Sequence, residues 1–289
     1  MRRRIPRLPF AVVLVVVIAV SGAVVIREAY APRVTLFLHD LVVGSPAPLA
    51  VRLDDDVEIR LHATTRPHIG KIAALQKGLV LVHQGQPVIE EGYGFGLPIV
   101  DAPGGAHVSR HAQTAIRRDD DGNFELVKSY RIDVLDTPVR PFRRKYRDVD
   151  PLGHVVLTYT VRPPDAIDVR ADFRGLHARW ERAYLMNEQG ARAFTSYLQP
   201  GGRVVDASEM GIWQEATAPF GCWKSPERDL SFCVEAPSGQ PGFVGRERYL
   251  QFNWLGFYAL SWSGIDIAVD APRETYEYTI HIVRETPDA

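Results

Sequence analysis

The chain has 289 residues and a formal net charge of −1 at pH 7. Hydrophobic residues make up 46% and charged residues 24%, which is the composition of a packed globule and excludes a disordered chain, a collagen-like chain and a multi-span membrane protein. Two cysteines exclude a disulfide-dense scaffold and a zinc ribbon. A net charge near zero excludes a protein that binds polyanions through bulk charge, so we expect no nucleic-acid partner.

The N-terminus has the pattern of a membrane segment. Four arginines lie among the first seven residues, and residues 8–26 then form a run of 19 residues without a charge. A bilayer needs about 20 apolar residues to be spanned by a helix, whereas the apolar part of a cleaved signal peptide has about 7 to 15. We therefore predict a transmembrane signal-anchor in residues 1–26. A signal peptide cut after Ala23 is the alternative.

The same arginines predict the orientation of the chain. Basic flanks stay in the cytoplasm, so we expect a single-pass protein of the cell membrane with residues 34–289 outside, joined to the anchor by a tether of residues 27–33. If the signal is cleaved, the body is secreted. Without the four arginines, the body has 30 basic residues against 35 acidic ones, which gives no support for binding an anionic surface.

The body consists of short runs that alternate between apolar and polar residues or are rich in β-branched residues, which is typical of strands. In chain order these runs cover residues 34–38, 57–62, 78–83, 88–90, 115–118, 124–132, 154–161, 167–173 and 275–283. Turn residues at 84–87 and the pair Asp121 and Gly122 predict hairpins. The clearest helix signal in the body covers 176–187, where we expect a helical turn or two.

These elements predict an all-β fold, a large antiparallel two-sheet sandwich that forms a single extracytoplasmic domain over residues 34–289. It is larger than an immunoglobulin-type sandwich, which takes about 100 residues. Residues 153–173, the stretch 184–198 with its YLMNE segment, and the aromatic run in 243–267 resemble the galactose mutarotase-like supersandwich in architecture, over about half of the chain. The catalytic His and Glu motifs of that family are not found. The resemblance therefore implies a carbohydrate-facing role without the family's activity.

Cys222 and Cys233 are separated by ten residues with a turn-rich centre at 225–229. Thiols oxidise outside the cytoplasm, so we predict a disulfide across a hairpin. Two free buried thiols are the alternative.

Motifs for metal or cofactor binding are weak or missing. His107 and His111 have the spacing of two ligands on a helix, but Gly104 and Gly105 precede them and no catalytic Glu follows the first His. The acidic run 119–121 differs from a calcium loop in the position of its glycine and is typical of a solvated hairpin tip. The chain has no P-loop, no GxSxG elbow and no HExxH motif. We expect no cofactor and no metal.

The C-terminal half contains the most suggestive candidate site. All five tryptophans lie at or after residue 180, and a strand over 249–255 would present aromatic and amide groups on one face. Such a face stacks on a sugar ring and hydrogen-bonds its hydroxyls. The expected ligand-binding residues are Tyr249, Gln251 and Asn253, with Arg246 and Arg248 at the edge and Glu188 or Asp266 as the nearest carboxylates. The alternative is an aromatic-rich sheet whose wet face binds nothing.

Two classes of function follow from these features. The first is a membrane-anchored ectodomain that binds or acts on carbohydrate. The second is a non-catalytic domain of the cell envelope that braces the surface or contacts proteins. The residues leave open whether the protein is an enzyme, which ligand it takes and whether it forms oligomers.

Overall fold

The computed structural model describes residues 49–61, 79–88, 95–103, 105–134, 152–177, 179–190, 193–253 and 256–284. Within these ranges the only helical element is a short 3₁₀ turn, Pro226–Arg228, and all other regular structure is β-strand. The strands are β1 Leu49–Arg52, β2 Val57–Leu61, β3 Leu79–His83, β4 Gln86–Pro87, β5 Phe95–Ala102, β6 Gly105–Arg118, β7 Phe124–Val134, β8 Gly153–Arg162, β9 Ala166–Asp172, β10 Arg182–Gly190, β11 Ser196–Leu198, β12 Val204–Asp206, β13 Trp213–Thr217, β14 Cys222–Ser225, β15 Leu230–Glu235, β16 Pro241–Asn253, β17 Gly256–Asp270 and β18 Thr275–Arg284. The prediction of an all-β fold is confirmed.

The described strands form two sheets, and their described pairings are antiparallel. The small sheet has the order β1-β2-β3-β4, and the large one the order β12-β11-β14-β15-β18-β9-β8-β7-β6-β5-β10-β17-β16-β13. Alternation of buried and partly exposed residues along β2 and β8 matches the period of two that the sequence shows. Each such strand presents one face to the core and one to water.

The large sheet folds back on itself. Three side-chain hydrogen bonds join strands that are far apart in the sheet order. They run from Trp223 Nε1 to the Gly264 carbonyl at 2.9 Å, from the Tyr278 hydroxyl to Asn187 Oδ1 at 2.8 Å, and from the Tyr159 hydroxyl to the Phe95 carbonyl. We call the strands β7, β8, β9, β18, β15 and β14 the β8 layer, and β5, β10 and β17 the β10 layer. The two layers of the predicted sandwich are thus parts of one continuous hydrogen-bonded sheet.

Aromatic side chains fill the space between the layers. The ring of Phe232, on β15, lies 5.7 Å from that of Phe95 and 6.3 Å from that of Phe194. Trp223 and Tyr159 are fully buried. Burying a large apolar side chain contributes about 1.5 to 3 kcal/mol, so this aromatic core is a main source of stability.

The helical turn expected over 176–187 is wrong. Leu176 makes a single bridge to Gly153, and Arg182–Gly190 is β10, which pairs with β5 on one side and β17 on the other. A central strand gains backbone hydrogen bonds along both edges. Tertiary pairing therefore overrides the weak helical signal around Trp180 and Tyr184.

The disulfide between Cys222 and Cys233 is confirmed. The two residues lie directly opposite each other on β14 and β15, and their Cα atoms are 4.3 Å apart. The chain reverses between these strands through Pro226–Arg228 and Asp229, whose φ of 48° is left-handed. The turn-rich centre therefore forms the hairpin that the sequence predicts.

The chain divides into two compact units, one of residues 46–248 with 261–289 and one of residues 1–45 with 249–260. The described residues of the second unit, 249–253 and 256–260, are strand. The predicted anchor, the tether and the run at 34–38 lie outside the described residues. In the part of the chain that the structure describes, no helix has the length and apolarity to cross a bilayer.

Candidate functional site

Two of the predicted carboxylates lie on one face of neighbouring strands. Glu188 on β10 is opposite Gly264 on β17, and Asp266 on β17 is opposite Met186 on β10. Glu188 and Asp266 are therefore diagonal neighbours, whose Cβ atoms lie about 7 Å apart in an antiparallel pair. Only 1% of Glu188 and 8% of Asp266 is exposed. The sheet thus holds two acidic groups together in a nearly water-free place.

Asp266 is anchored by the backbone of the neighbouring strand. The pairing of β10 with β5 shifts register between Met186 and Asn187, and the Asn187 amide donates to Asp266 Oδ1 at 3.1 Å. Register shifts of this kind re-aim side chains and are common beside active sites. The hydrogen bond from the Asn187 amide therefore fixes the position of the Asp266 carboxylate.

Asn187 connects this face to the opposite layer. Its side-chain nitrogen donates to the carbonyls of Leu185 and Ile265, and its oxygen accepts the bond from Tyr278. Burial is the main reason that the pKa of Tyr278 lies well above its usual value, so this hydroxyl stays a donor. Asn187, whose backbone amide binds Asp266, is therefore held by hydrogen bonds within the β10 layer and by one from the β8 layer.

Trp213 is a residue of this face that sequence reasoning missed. It lies on β13 opposite Gly245 of β16. A Cβ placed on Gly264 would lie 3.1 Å from Cη2 of Trp213 and 2.9 Å from Cγ of Glu188. Because Gly245 and Gly264 have no side chains, the indole extends across β16, and its Cη2 and Glu188 Cγ both lie beside Gly264. Glycines inside predicted strands are a signal of such close approach.

An aromatic pair lies on the same face. The rings of Tyr184 on β10 and Phe243 on β16 have centroids 5.9 Å apart, and both residues are half-buried. We call the surface formed by Tyr184, Met186, Glu188, Trp213, Phe243 and Asp266 the carboxylate face. It combines half-buried rings with two buried acids.

Arg246 lies elsewhere on β16. It occupies the same side of the strand as buried Val244, opposite to Phe243. Its charge helps to lower the pKa of Asp206, although the chief cause is the hydrogen bond from the Ser208 hydroxyl. Arg246 therefore lies on the opposite side of β16 from Phe243 and is not part of the carboxylate face.

The other candidates on β16 can be placed only along the strand. Tyr249, Gln251 and Asn253 occupy alternate positions of β16, as the expected shared face requires, and belong to the second compact unit. Their side chains and that of Arg248 lie outside the described part of the chain. Their role in sugar binding stays a prediction.

The outer face of the β8 layer, together with the adjacent strand β6, holds an ordered row of polar residues. Six residues lie directly opposite one another on successive strands, in the order Arg117, Glu125, Thr160, Asp168, Thr279 and Glu235. Arg117 Nε donates to Glu125 at 2.6 Å, and the Thr279 hydroxyl donates to Asp168 at 2.9 Å. The row borders a groove of about 520 Å³. Most of its charges are neutralised within the row and by neighbouring arginines.

The predicted hairpin tip at the acidic run is confirmed. Residues 119–123 connect β6 and β7, and Asp119 accepts bonds from the Asn123 amide at 2.7 Å and from its side chain at 3.0 Å. His107 and His111 both lie on β6, with side chains outside the described part. Among the described residues, no three His, Cys, Asp or Glu side chains come together as a metal site would need.

Scans against protein-family models and curated proteins give no match. Solved structures give remote likenesses: a 4-alpha-glucanotransferase from Thermococcus litoralis (11% identity, TM-score 0.43), a heparan sulfate lyase HepC mutant from Pedobacter heparinus (9%, 0.40) and a heparinase III (10%, 0.36). They cover 83%, 87% and 87% of this chain but only 40%, 40% and 39% of their own lengths. With these scores, no activity is carried over, and membership of the supersandwich family stays a prediction.

Proposed function

We propose that this protein binds a neutral glycan on the carboxylate face. The observation that carries the proposal is the pair of buried carboxylates, Glu188 and Asp266, beside the indole of Trp213. Aromatic rings stack on the apolar C–H face of a pyranose, and carboxylates accept hydrogen bonds from its hydroxyls. The sequence pointed to both acids, and the fold brings them together with rings from two further strands.

The burial of the two acids supports a role in function. Moving a carboxylate out of water costs several kcal/mol unless hydrogen bonds compensate. The bond from Asn187 fixes Asp266 beside Glu188, so the fold keeps the two acids together at this cost. Buried acids in one place are a feature of binding and catalytic sites.

The negative charge of this face sets the class of glycan. Two carboxylates oppose sulfated or uronic acid units, since like charges facing each other cost binding energy. Uncharged hexose units fit this surface better.

The test is a glycan array probed with the full-length chain in detergent, carrying matched neutral and anionic glycans. We expect binding to neutral glycans, and Glu188→Gln should weaken it more than about tenfold, since a charge-assisted hydrogen bond is lost. Glu277→Gln on the outer face of β18 is the control, because Glu277 is 71% exposed and lies on the other layer.

Asp266→Asn refines the result. The amide oxygen can still accept from Asn187, so the strand should keep its shape while the charge is lost. Loss of glycan binding with an unchanged melting temperature supports a direct contact. Binding only to anionic glycans, or unchanged binding by Glu188→Gln, contradicts the proposal.

We further propose that residues 8–26 anchor the chain, with residues 34–289 outside. The support is the run of 19 uncharged residues after four arginines. The full-length protein should sediment with membranes after alkaline washing, and protease added to intact cells should digest the body. A mature N-terminus directly after Ala23 would show a cleaved signal, and recovery in the cytosol would contradict both arrangements.

A further inference from the structure

We propose that the Cys222–Cys233 disulfide is a thiol-exchange site, reduced by an external dithiol, and that His281 donates a proton to the Cys233 thiolate that leaves. The class of partner is a small dithiol or the dithiol of an oxidoreductase. This proposal does not depend on glycan binding. It rests on the two residues beside the disulfide on the outer face of the sheet, His281 and Glu235.

The register places an imidazole next to the bridge. Cys233 is opposite Cys222 on one side and opposite His281 of β18 on the other. Directly opposite residues on one face have Cβ atoms about 5 Å apart. His281 is thus the cross-strand neighbour of Cys233, on the side away from Cys222.

A carboxylate fixes the orientation of this imidazole. His281 Nε2 lies 2.9 Å from Glu235 Oε2, and Glu235 is two residues after Cys233 on β15. A carboxylate that bonds one ring nitrogen fixes the orientation of an imidazole. Glu235 is therefore the positioning residue for His281.

The bridge lies on an accessible surface. Cys222 and Cys233 are half-buried, and 29% of the His281 side chain and 74% of the Glu235 side chain are exposed. Glu235 also lines the groove of about 520 Å³ on the outer face of the β8 layer. Structural bridges resist exchange when they are buried in apolar surroundings, whereas accessible ones beside a proton donor exchange readily. Here the two cysteines are partly exposed, and His281 is the cross-strand neighbour of Cys233.

The chemical step balances as an ordinary thiol–disulfide exchange. A thiolate of the dithiol attacks Sγ of Cys222, the Cys222–Cys233 bond breaks, and its electron pair leaves with Cys233, which takes a proton from His281. The second thiol of the reductant then displaces Cys222 from the mixed disulfide, and its proton passes to the Cys222 thiolate. The reductant ends as a cyclic disulfide, and the protein ends with two thiols.

The experiment follows reduction of the full-length protein by dithiothreitol at fixed pH, with thiol alkylation and mass spectrometry as the readout. His281→Gln should slow reduction about fivefold, because the Cys233 thiolate then leaves without a neighbouring proton donor. Glu235→Gln should slow it less, since the imidazole remains. The matched controls are His154→Gln and Glu277→Gln, which remove outer-face groups of β8 and β18 and should leave the rate unchanged.

The direction of the effect separates chemistry from loss of structure. A loosened hairpin exposes the bridge and speeds reduction, so a slower rate cannot come from unfolding. Slower reduction in both variants supports the assignment. Rates equal to or above that of the wild type in both variants overturn it.

Discussion

Replacing Lys128 with methionine should make the protein more stable at pH 7, and this advantage should shrink by about 4 kcal/mol between pH 7 and pH 10. Lys128 is on β7, and its side chain faces the core with those of Leu126 and Tyr130, with only 4% exposed. Its Nζ lies 4.9 Å from the centroid of the Tyr130 ring. Burial lowers the pKa of Lys128 from 10.5 to about 7.

The sign of the effect follows from proton binding. Between pH 7 and 10.5 the unfolded chain keeps this lysine protonated while the folded protein has it neutral. The unfolded state thus binds more protons, and stability rises with pH by about 1.4 kcal/mol per unit. Below pH 7 the charge is buried and its full cost is present. Methionine keeps the aliphatic stem and carries no charge. The stability of the methionine variant should therefore show no such rise with pH.

Urea unfolding of both proteins at several values between pH 7 and pH 10 measures this difference. Burial also raises the pKa values of buried tyrosines, which lowers the stability of the folded protein only above about pH 10. Both proteins contain these tyrosines, so they do not change the comparison. Lys128→Arg should lack the rise because arginine cannot be deprotonated in this range. An advantage of Lys128→Met that stays constant with pH would contradict the buried charge.

Replacing Gly153 with alanine should destabilise the fold by more than about 3 kcal/mol. Gly153 begins β8 with a φ of +125°, and an added Cβ would lie 2.0 Å from the Gly175 carbonyl oxygen. That oxygen also accepts the His154 amide at 3.0 Å. The methyl group would therefore separate the start of β8 from the turn at 173–177. Denaturant unfolding followed by circular dichroism measures the loss.

Gly122→Ala is the matched control, because it measures the cost of placing alanine at a positive φ without a steric clash. Gly122 has a φ of +86°, and an added Cβ would meet no heavy atom of the described residues within 4 Å. Its replacement should cost only about 1 kcal/mol, for the left-handed conformation. Equal losses in the two variants would mean that the turn at 173–177 moves aside freely, contrary to the close backbone contact.

The part of the fold that the sequence predicts is the part with local signals. β7, β8 and β18 alternate cleanly and were predicted nearly to their ends, because one face of each is wet. β10 was not predicted as a strand. The residues of β10 pack against residues that are far away in sequence. The pairing of β10 with β5 and β17 appears only in the folded sheet.

The candidate site shows the same division between local sequence signals and long-range strand pairing. Glu188 and Asp266 could be named as carboxylates, but their closeness depends on the register that sets Glu188 opposite Gly264. The reach of Trp213 depends on two glycines of strands that the sequence places on no common surface. Residue types can thus be read from the chain, whereas cross-strand neighbours require the sheet.

The position of β18 has a consequence for synthesis of the protein. This strand lies between β9 and β15, and its Thr279 bonds to Asp168, 111 residues earlier. A nascent chain that has emerged only as far as β15 carries open hydrogen-bonding edges on both of these strands. Such edges are templates for pairing with other chains, and pairing across so long a loop is slow. The ribosome must deliver residues 275–284 before the middle of the sheet can close, so we expect the nascent chain to depend on chaperones until then.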